Sequence, residues 1–460
     1  MIDMLKVSRD ELKRAISRGD LTIAVVGLGW MGLPHAALFA EAGARVIGID
    51  VNPRIVEKAN RGVSPIDEPG LEKLLRKHAR SGHFRATENI SEGVAASDVI
   101  LLIVPTLIDK NNKPDYSAVE IASKSIGKSI RKGSLVVFES TAGPGITEKI
   151  VKVGIEKSSG LKCGEDFGLA YSPMRAMGGR TMTDLQDYCR VVAGVDKKSL
   201  DAAMTVLSSI TKNNLIRVRD IKTAEASKLF ETIYRDVSIG LANQFACFCE
   251  AAGIDYKEIR EAANTQPYSH LLSPGIGVGG HCLPVYPYLL TDEARGFGVR
   301  MKLVTEARRA NESMPGHVLK LTASALKSVG RSFKRSRIAV LGIAYRPDVK
   351  ELRFSPTLEL IALLKRRGSR VIVFDPKFSQ KEMAALGYDT EPTLRKAVGR
   401  CDCIVLAVAH SEFKNLDVQS LLPLMNRNPA IVDCTQTLNP VEIEKTGVVY
   451  RGVGRGLWTR

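Results

Sequence analysis

Leu21-Thr22-Ile23-Ala24-Val25-Val26-Gly27-Leu28-Gly29-Trp30-Met31-Gly32 is an apolar run that ends in three closely spaced glycines. A run with no polar face reads as a strand buried between two layers. The residues after Gly32 read as a helix closing at Ala42-Gly43, ahead of a second strand, Arg45-Val46-Ile47-Gly48-Ile49-Asp50. This is one βαβ unit. Gly27 permits the tight turn, Gly29 lets a pyrophosphate approach the backbone at a helix N-terminus, and Gly32 packs helix against sheet. Asp50 ends the second strand, where a carboxylate accepts from both ribose hydroxyls and repels a 2′-phosphate. The predicted cofactor is NAD rather than NADP.

Outward from this unit, strand-like runs at Asp98–Val104, Leu135–Glu139, Phe167–Tyr171 and Arg190–Gly194 alternate with helix-like stretches, the rhythm of a doubly wound parallel sheet. Ahead of it, residues 5–18 read as a short amphipathic helix stopping near Gly19. From Ala224 to Ala263 the pattern becomes uninterrupted helix, with Leu229, Ile233, Val237, Leu241, Phe245 and Phe248 three or four apart. Such a stretch suits a bundle, a linker between lobes or a dimer interface. After Pro315 and a basic stretch near Arg331, alternation resumes at Arg337–Gly342, Arg370–Asp375, Cys403–Ala409 and Ala430–Asp433. The predicted fold class is α/β, two Rossmann-like doubly wound lobes joined by a central helical domain. The expected boundaries are 1–20 for the helical extension, 21–212 for the first lobe, 213–315 for the centre and 316–460 for the second lobe.

The composition fits this and narrows the function. Of 460 residues, 44% are hydrophobic and 25% charged, which excludes a disordered chain and a disulfide miniprotein. Apolar runs such as Val99–Val104 and Ile404–Ala409 break well short of the roughly 20 residues a membrane helix needs. The charged N-terminus does not read as a secretory signal, so the cytoplasm is the expected compartment and no membrane insertion is expected. A net charge of +16 favours anionic partners. It is diffuse apart from Arg331, Lys334, Arg335 and Arg337, so no specific nucleic acid is expected. The eight cysteines, including the close pairs Cys247/Cys249 and Cys401/Cys403, lack zinc-ligand spacing, and no metal is expected.

Two further motifs carry chemistry. The second lobe has a reduced glycine turn, Leu341-Gly342-Ile343-Ala344-Tyr345-Arg346, which does not suit a dinucleotide. Arg346, Lys350 and Arg353 beyond it either hold a nucleotide diphosphate by charge or form a solvated basic loop. Between the lobes, Ser273-Pro274-Gly275-Ile276-Gly277-Val278-Gly279-Gly280-His281-Cys282 places four glycines just before a cysteine. Backbone must pass close to something there. A thiol at such a turn is either a small buried hydrophobe or a nucleophile toward an aldehyde.

These residues resemble the UDP-glucose/GDP-mannose dehydrogenase family, above all its branch acting on UDP-N-acetylhexosamines such as UDP-N-acetylmannosamine. The resemblance runs from residue 21 through nearly the whole chain. It rests on the Gly27 turn with Leu33-Pro34, Ser64 to Leu71, Val104-Pro105-Thr106, Lys113-Pro114-Asp115 and Glu139-Ser140-Thr141. It continues through Tyr171-Ser172-Pro173, Glu225-x-x-Lys228, Gly277 to Cys282, and Asp348 through Arg353 to Ser355-Pro356. It implies a homodimer through the central helix, a UDP-sugar substrate, and oxidation of the sugar C6 alcohol to a carboxylate with two NAD. Cys282 would trap the aldehyde as a thiohemiacetal that becomes a thioester, with Lys228 facing the oxyanion and Thr141 positioning water or substrate. The implied cofactor contacts are Gly27, Gly29, Trp30, Met31, Gly32, Asp50, Arg54, Val104, Pro105, Thr106, Ser140, Thr141 and Arg353. The implied substrate contacts are Met174, Lys228, Thr232, Tyr268, Leu272, Gly279, Tyr286, Tyr345 and Arg346.

Four of these depart from the family pattern. Met174 stands for a glutamate, Thr232 for an asparagine, Tyr286 for an aspartate and Tyr268 for an arginine. Two proton-shuttling acids are therefore missing, which leaves hydride transfer easier to support than thioester hydrolysis. Partial oxidation or epimerisation on the same scaffold, or a non-catalytic nucleotide-sugar or NAD-binding relative, are the alternatives.

Overall fold

The computed structural model describes residues 2–458. The chain divides into two compact units: residues up to Glu231 with Tyr288–Gly298, and Thr232–Pro287 with Val299 onward. Among the described residues no helix is long and apolar enough to cross a membrane.

The first unit is built on β1 (Thr22–Val26), β2 (Arg45–Ile49), β3 (Phe84–Thr87), β4 (Val99–Leu102), β5 (Leu107–Ile108), β6 (Pro114–Asp115), β7 (Leu135–Phe138), β8 (Gly168–Tyr171), β9 (Arg190–Gly194) and β10 (Leu215–Arg217). Eight of these form one sheet in the order β10-β9-β8-β7-β4-β1-β2-β3, while β5 and β6 make a small antiparallel hairpin. Neighbours in the sheet are parallel except β8 and β9. Ile23 and Val25 of β1 join one core layer and Ala24 and Val26 the other, which is why the run is apolar without alternation. The short strands β3, β5, β6 and β10 were outside the sequence expectation. The leading helix, Arg9–Arg18, is set by a Ser8/Glu11 capping box and stopped by Gly19 at φ 75°.

The central stretch corrects the expectation of continuous helix. Ile221–Ala252 is one helix, Gly253 turns the chain at φ 71°, and Asp255 caps a separate helix, Tyr256–Ala263. The boundary expected at 315/316 cuts through the helix Lys302–Ser328, which holds Pro315 inside it. Proline removes one ladder hydrogen bond. Met314, Val318 and Leu321 around it are buried, and that packing carries the helix through.

The second unit carries β11 (Arg337–Leu341), β12 (Arg370–Phe374), β13 (Cys403–Leu406), β14 (Ala430–Asp433) and β15 (Val449–Gly452). They form an all-parallel sheet, β12-β11-β13-β14-β15. Its centre repeats the wiring of the first unit bond for bond. The Gly27 N–H donates to the Ile49 carbonyl and Gly342 to that of Phe374, each at 2.8 Å. The Thr22 and Arg337 N–H groups donate to Asp98 and Asp402, at 3.0 and 2.8 Å. Both lobes are thus Rossmann-like, as the alternation predicted.

Candidate active site

In the first unit the carboxyl ends of β2, β1, β4 and β7 lie side by side and carry the expected cofactor residues. Gly27 has φ 99°, and a Cβ there would sit 2.1 Å from the Ile103 carbonyl oxygen. A Cβ on Gly32 would meet the Gly27 oxygen at 1.8 Å, so helix and turn touch through backbone. Gly29 differs: nothing lies within 4 Å of its Cβ position. The helix Gly32–Glu41 begins with no side-chain cap and no acid in its first turn, leaving N–H groups and a positive dipole end for an anion. Asp50 is oriented by the Leu28 and Asn52 N–H groups at 2.8 and 2.9 Å. An open glycine, an uncapped helix start and a fixed carboxylate fit the pyrophosphate and ribose of NAD.

Around this cradle, Trp30 is on the rim 3.7 Å from the Gly178 Cβ position, Met31 packs against the core, and Arg54 is exposed. Val104, Pro105 and Thr106 follow β4. The Val104 carbonyl accepts from the Ser140 hydroxyl at 2.6 Å, which ties them to buried Ser140 and Thr141.

Glu225 supports the same end of the sheet. Its carboxylate accepts from the Gly145 and Thr147 N–H groups and the Thr147 hydroxyl, at 2.5, 2.8 and 2.6 Å. Burial pushes its pKa up to about 7 against these hydrogen bonds. It holds the start of a π-helical turn, Thr147–Lys152, a form frequent at functional sites. One turn further along, buried Lys228 lies 3.7 Å from Glu231, which also takes Arg175 at 2.7 Å. Met174, beside Arg175, packs its side chain against the core.

In the second unit the glycine loop is anchored at both ends by a buried polar network. The Gly275 N–H donates to Asn243, whose amide donates to Asn311, each at 2.9 Å. Asn311 donates to the Asp236 carbonyl and carboxylate at 2.9 and 3.0 Å. Arg308 donates to Asp236 at 2.6 Å and to the Leu283 carbonyl, next to Cys282, at 3.3 Å. Burial, opposed by Arg308 and Asn311, raises Asp236 to about 6. Sequence reading missed these four residues, because the bonds join positions 68 to 75 apart.

The other side of the loop meets the segment after β11. The Gly280 N–H donates to the Arg353 carbonyl at 2.8 Å, and a Cβ at Gly279 would stand 2.7 Å from the Phe354 oxygen. At Gly280 it would stand 2.7 Å from the Tyr345 ring. His281 pairs with Glu351. Here is the close passage the glycines announced. Cys282 is partly buried, and its carbonyl accepts from the Tyr286 N–H at 2.9 Å, where the helix Tyr286–Gly296 starts.

The structure therefore brings together Cys282, Gly279, Tyr345 and the backbone of Arg353. Tyr268 is 92% exposed and its ring is not in this cluster. Leu272 packs near Tyr256, whose hydroxyl donates to its carbonyl at 2.9 Å. Thr232 is fully buried with no hydrogen-bond partner for its hydroxyl. The basic trio does not act as one cluster: Lys350 pairs with Glu382 at 2.6 Å, whereas Arg346 and Arg353 lie over the Tyr345 and Phe354 rings.

Asp375 occupies in this lobe the place of Asp50. Its carboxylate accepts from Ile343 and Ala344 at 2.7 and 3.1 Å and from Lys377 at 2.9 Å, and His410 contacts it at 3.1 Å. The Asp348 N–H donates to the other His410 nitrogen at 3.0 Å, so the proton of His410 is on the side facing Asp375. With its carboxylate buried and saturated, Asp375 is not open to a ribose as Asp50 is. Asp348, His410 and Glu412 approach one another as metal ligands would, yet Lys377 already bridges the two acids at 3.4 and 2.8 Å.

Comparison with known proteins matches these parts in order. Residues 21–211 match the NAD binding domain of the UDP-glucose/GDP-mannose dehydrogenase family, 222–313 its central domain and 339–440 its UDP binding domain. A UDP-N-acetyl-D-mannosamine dehydrogenase of Pyrococcus horikoshii is 36% identical over 95% of this chain and 100% of its own. An NDP-N-acetyl-D-galactosaminuronic acid dehydrogenase of Ralstonia nicotianae is 33% identical over 89% and 96%. The solved structure of a UDP-D-ManNAc dehydrogenase from Pyrococcus horikoshii superposes with a TM-score of 0.87 at 35% identity, covering 95% of this chain and all of that one. With the dinucleotide cradle in the first unit and all three domains in sequence, the chain belongs to the UDP-glucose/GDP-mannose dehydrogenase family and is an NAD-dependent enzyme.

Proposed function

We propose that the protein oxidises the C6 alcohol of a UDP-N-acetylhexosamine or UDP-hexose to the carboxylate, with Cys282 as the covalent holder of the aldehyde. The observation carrying this is the Cys282 loop, pinned at Gly275 and Leu283 by buried side chains and at Gly280 by the Arg353 carbonyl. A nucleophile held on both sides keeps its approach to a bound carbon without reorganising. Bound NAD supplies the acceptor for the two electrons removed at each of two oxidation stages. Between the stages the Cys282 sulfur adds to the aldehyde carbon and the carbonyl oxygen takes a proton, giving a thiohemiacetal. After the second stage, water displaces the sulfur from the thioester. Lys228 faces the oxyanion in both additions, and Thr141 positions the reacting hydroxyl or water.

In this reading Tyr345, Arg346, Gly279 and Leu272 hold the nucleotide sugar, and Met174, Thr232, Tyr268 and Tyr286 tune its sugar end. The protein works in the cytoplasm, where free thiols persist. It is a homodimer: the helix Ile221–Ala252 exposes Tyr234, Leu241, Phe245 and Phe248 along one stripe, which supports an interface there.

Counting NADH against sugar tests the reaction. Two NADH and one uronate per UDP-sugar are expected, together with a Cys282 adduct detectable by mass spectrometry. No NADH with any UDP-hexose or UDP-N-acetylhexosamine would remove the reading. Met174 and Tyr286, standing where carboxylates are expected, favour one second reading, in which reaction stops at one NADH per sugar.

A further inference from the structure

We propose that Cys247 is a second activated thiol, a modification site for small electrophiles and peroxides, independent of Cys282. Its sulfur lies 3.8 Å from His317 Nδ1, and the other nitrogen of that ring meets the two Glu250 oxygens at 3.0 and 2.9 Å. Glu250 is in turn fixed by the Gly454 N–H at 2.8 Å. Thiol, imidazole and carboxylate thus stand in series. Cys247 and Glu250 share one face of the helix Ile221–Ala252 at i, i+3, and His317 comes from Lys302–Ser328. Cys247 and His317 are both partly exposed, so a small reagent can reach them.

The ring beside this sulfur carries charge. Burial alone would lower the His317 pKa, but hydrogen bonds and charge from Cys247 and Glu250, the titratable groups acting on the ring, raise it to about 10. His317 is therefore an imidazolium at neutral pH, and a cation beside a thiol stabilises its anion. Cys163, also partly exposed, provides a contrast: burial, with Glu156, Asp196 and Glu148 nearby, pushes its thiol up to about 12. Cys249, Cys401, Cys403 and Cys434 are buried. Cys247 also lies about 100° round its helix from Phe248, off the exposed aromatic stripe.

The chemistry balances without the bound cofactor. With iodoacetamide the thiolate forms a carbon–sulfur bond and iodide leaves, with no change of redox state. With hydrogen peroxide the sulfur takes one oxygen, the O–O bond breaks, hydroxide leaves, and the sulfur is oxidised by two electrons to a sulfenic acid.

Limited iodoacetamide labelling of the full-length protein at pH 7, read cysteine by cysteine by peptide mass spectrometry, tests this. Cys247 should label at least about tenfold faster than Cys163. His317→Asn should slow Cys247 about tenfold. Glu250→Gln, which keeps an acceptor for the Gly454 N–H, should slow it in the same direction should the first variant fail to fold. After peroxide, a dimedone adduct should map to Cys247. Labelling no faster than Cys163, or a rate unmoved by either folded variant, would overturn the proposal. None of these readouts uses turnover, so the result stands apart from the fate of the Cys282 mechanism.

Discussion

The three glycines of the first turn separate structural from ligand constraints. Gly27 and Gly32 admit no Cβ because backbone oxygens stand 2.1 and 1.8 Å away. Alanine at either position should lower the melting temperature and abolish NAD binding together. Gly29 has no such neighbour and no positive φ, so Gly29→Ala should fold with an unchanged melting temperature. On the proposed cofactor placement, however, its methyl group enters the space for the pyrophosphate. NAD affinity should fall about tenfold or more, a loss of about 1.4 kcal/mol, measured by calorimetry beside a thermal melt. Equal effects on stability and affinity at all three glycines would contradict this division. Met174 and Tyr286 invite the converse change. If water activation limits turnover, Met174→Glu or Tyr286→Asp should raise the rate of uronate release, up to the ~10²–10⁴ that a general base typically contributes. Unchanged release with either variant would place the limiting step elsewhere.

At the level of elements, two buried carboxylates fasten helices to the loops they serve. Glu225 holds the Gly145–Thr147 turn with a pKa raised to about 7, well above its unfolded value near 4.3. A raised carboxyl pKa means the native state binds the proton more tightly, so this group favours folding as pH falls from about 7 toward 4.5. The wild-type melting temperature should therefore gain on that of Glu225→Gln over this range, with the difference smallest above pH 8; a difference that is flat or reversed would show that the carboxyl is not buried in solution. Asp236 and Arg308 form the second fastening. Asp236→Ala leaves the Arg308 guanidinium with half-exposed Glu312 at 3.3 Å as its remaining acid and should cost less than the ~3–5 kcal/mol of a fully stranded charge by denaturant unfolding, with the paired change Asp236→Leu and Arg308→Met costing less still. Sequence reading reached one half of this picture. Long apolar runs such as Leu21–Val26 announced the central strands, since burial on both faces leaves little choice of residue. It missed β3, β5, β6, β10 and β15, whose few residues lack a period long enough to read. It drew its boundary at 315/316, inside the helix Lys302–Ser328, because local propensity is blind to packing around a helix. The Asn243–Asn311–Asp236–Arg308 network was closed to it altogether, since each residue alone is an ordinary polar position on a helix.

Across the whole molecule, one βαβ plan is used twice and differs in its glycine turn and at one carboxylate. Asp50 is half-buried and presents its oxygens beside an open glycine, whereas Asp375 is buried beneath His410 and accepts three backbone N–H groups. The same topological position therefore holds an accessible carboxylate in the first lobe, the proposed ribose acceptor, and a packed polar core in the second. Each chain should accordingly bind one NAD, not two, with calorimetric stoichiometry near one per chain. Asp50→Asn should weaken that binding and relax the discrimination against a 2′-phosphorylated cofactor, because the repelling charge is gone. Asp375→Asn should leave NAD affinity unchanged and lower the melting temperature, since it disturbs the contacts with Ile343, Ala344, Lys377 and His410. UDP supplies the complementary measurement. Arg346→Ala removes a guanidinium stacked on Tyr345, and should weaken UDP about tenfold while NAD binding is unmoved. A second equivalent of NAD per chain, or loss of NAD binding on changing Asp375, would mean that the two lobes share the cofactor and that the buried carboxylate is not what divides their labour.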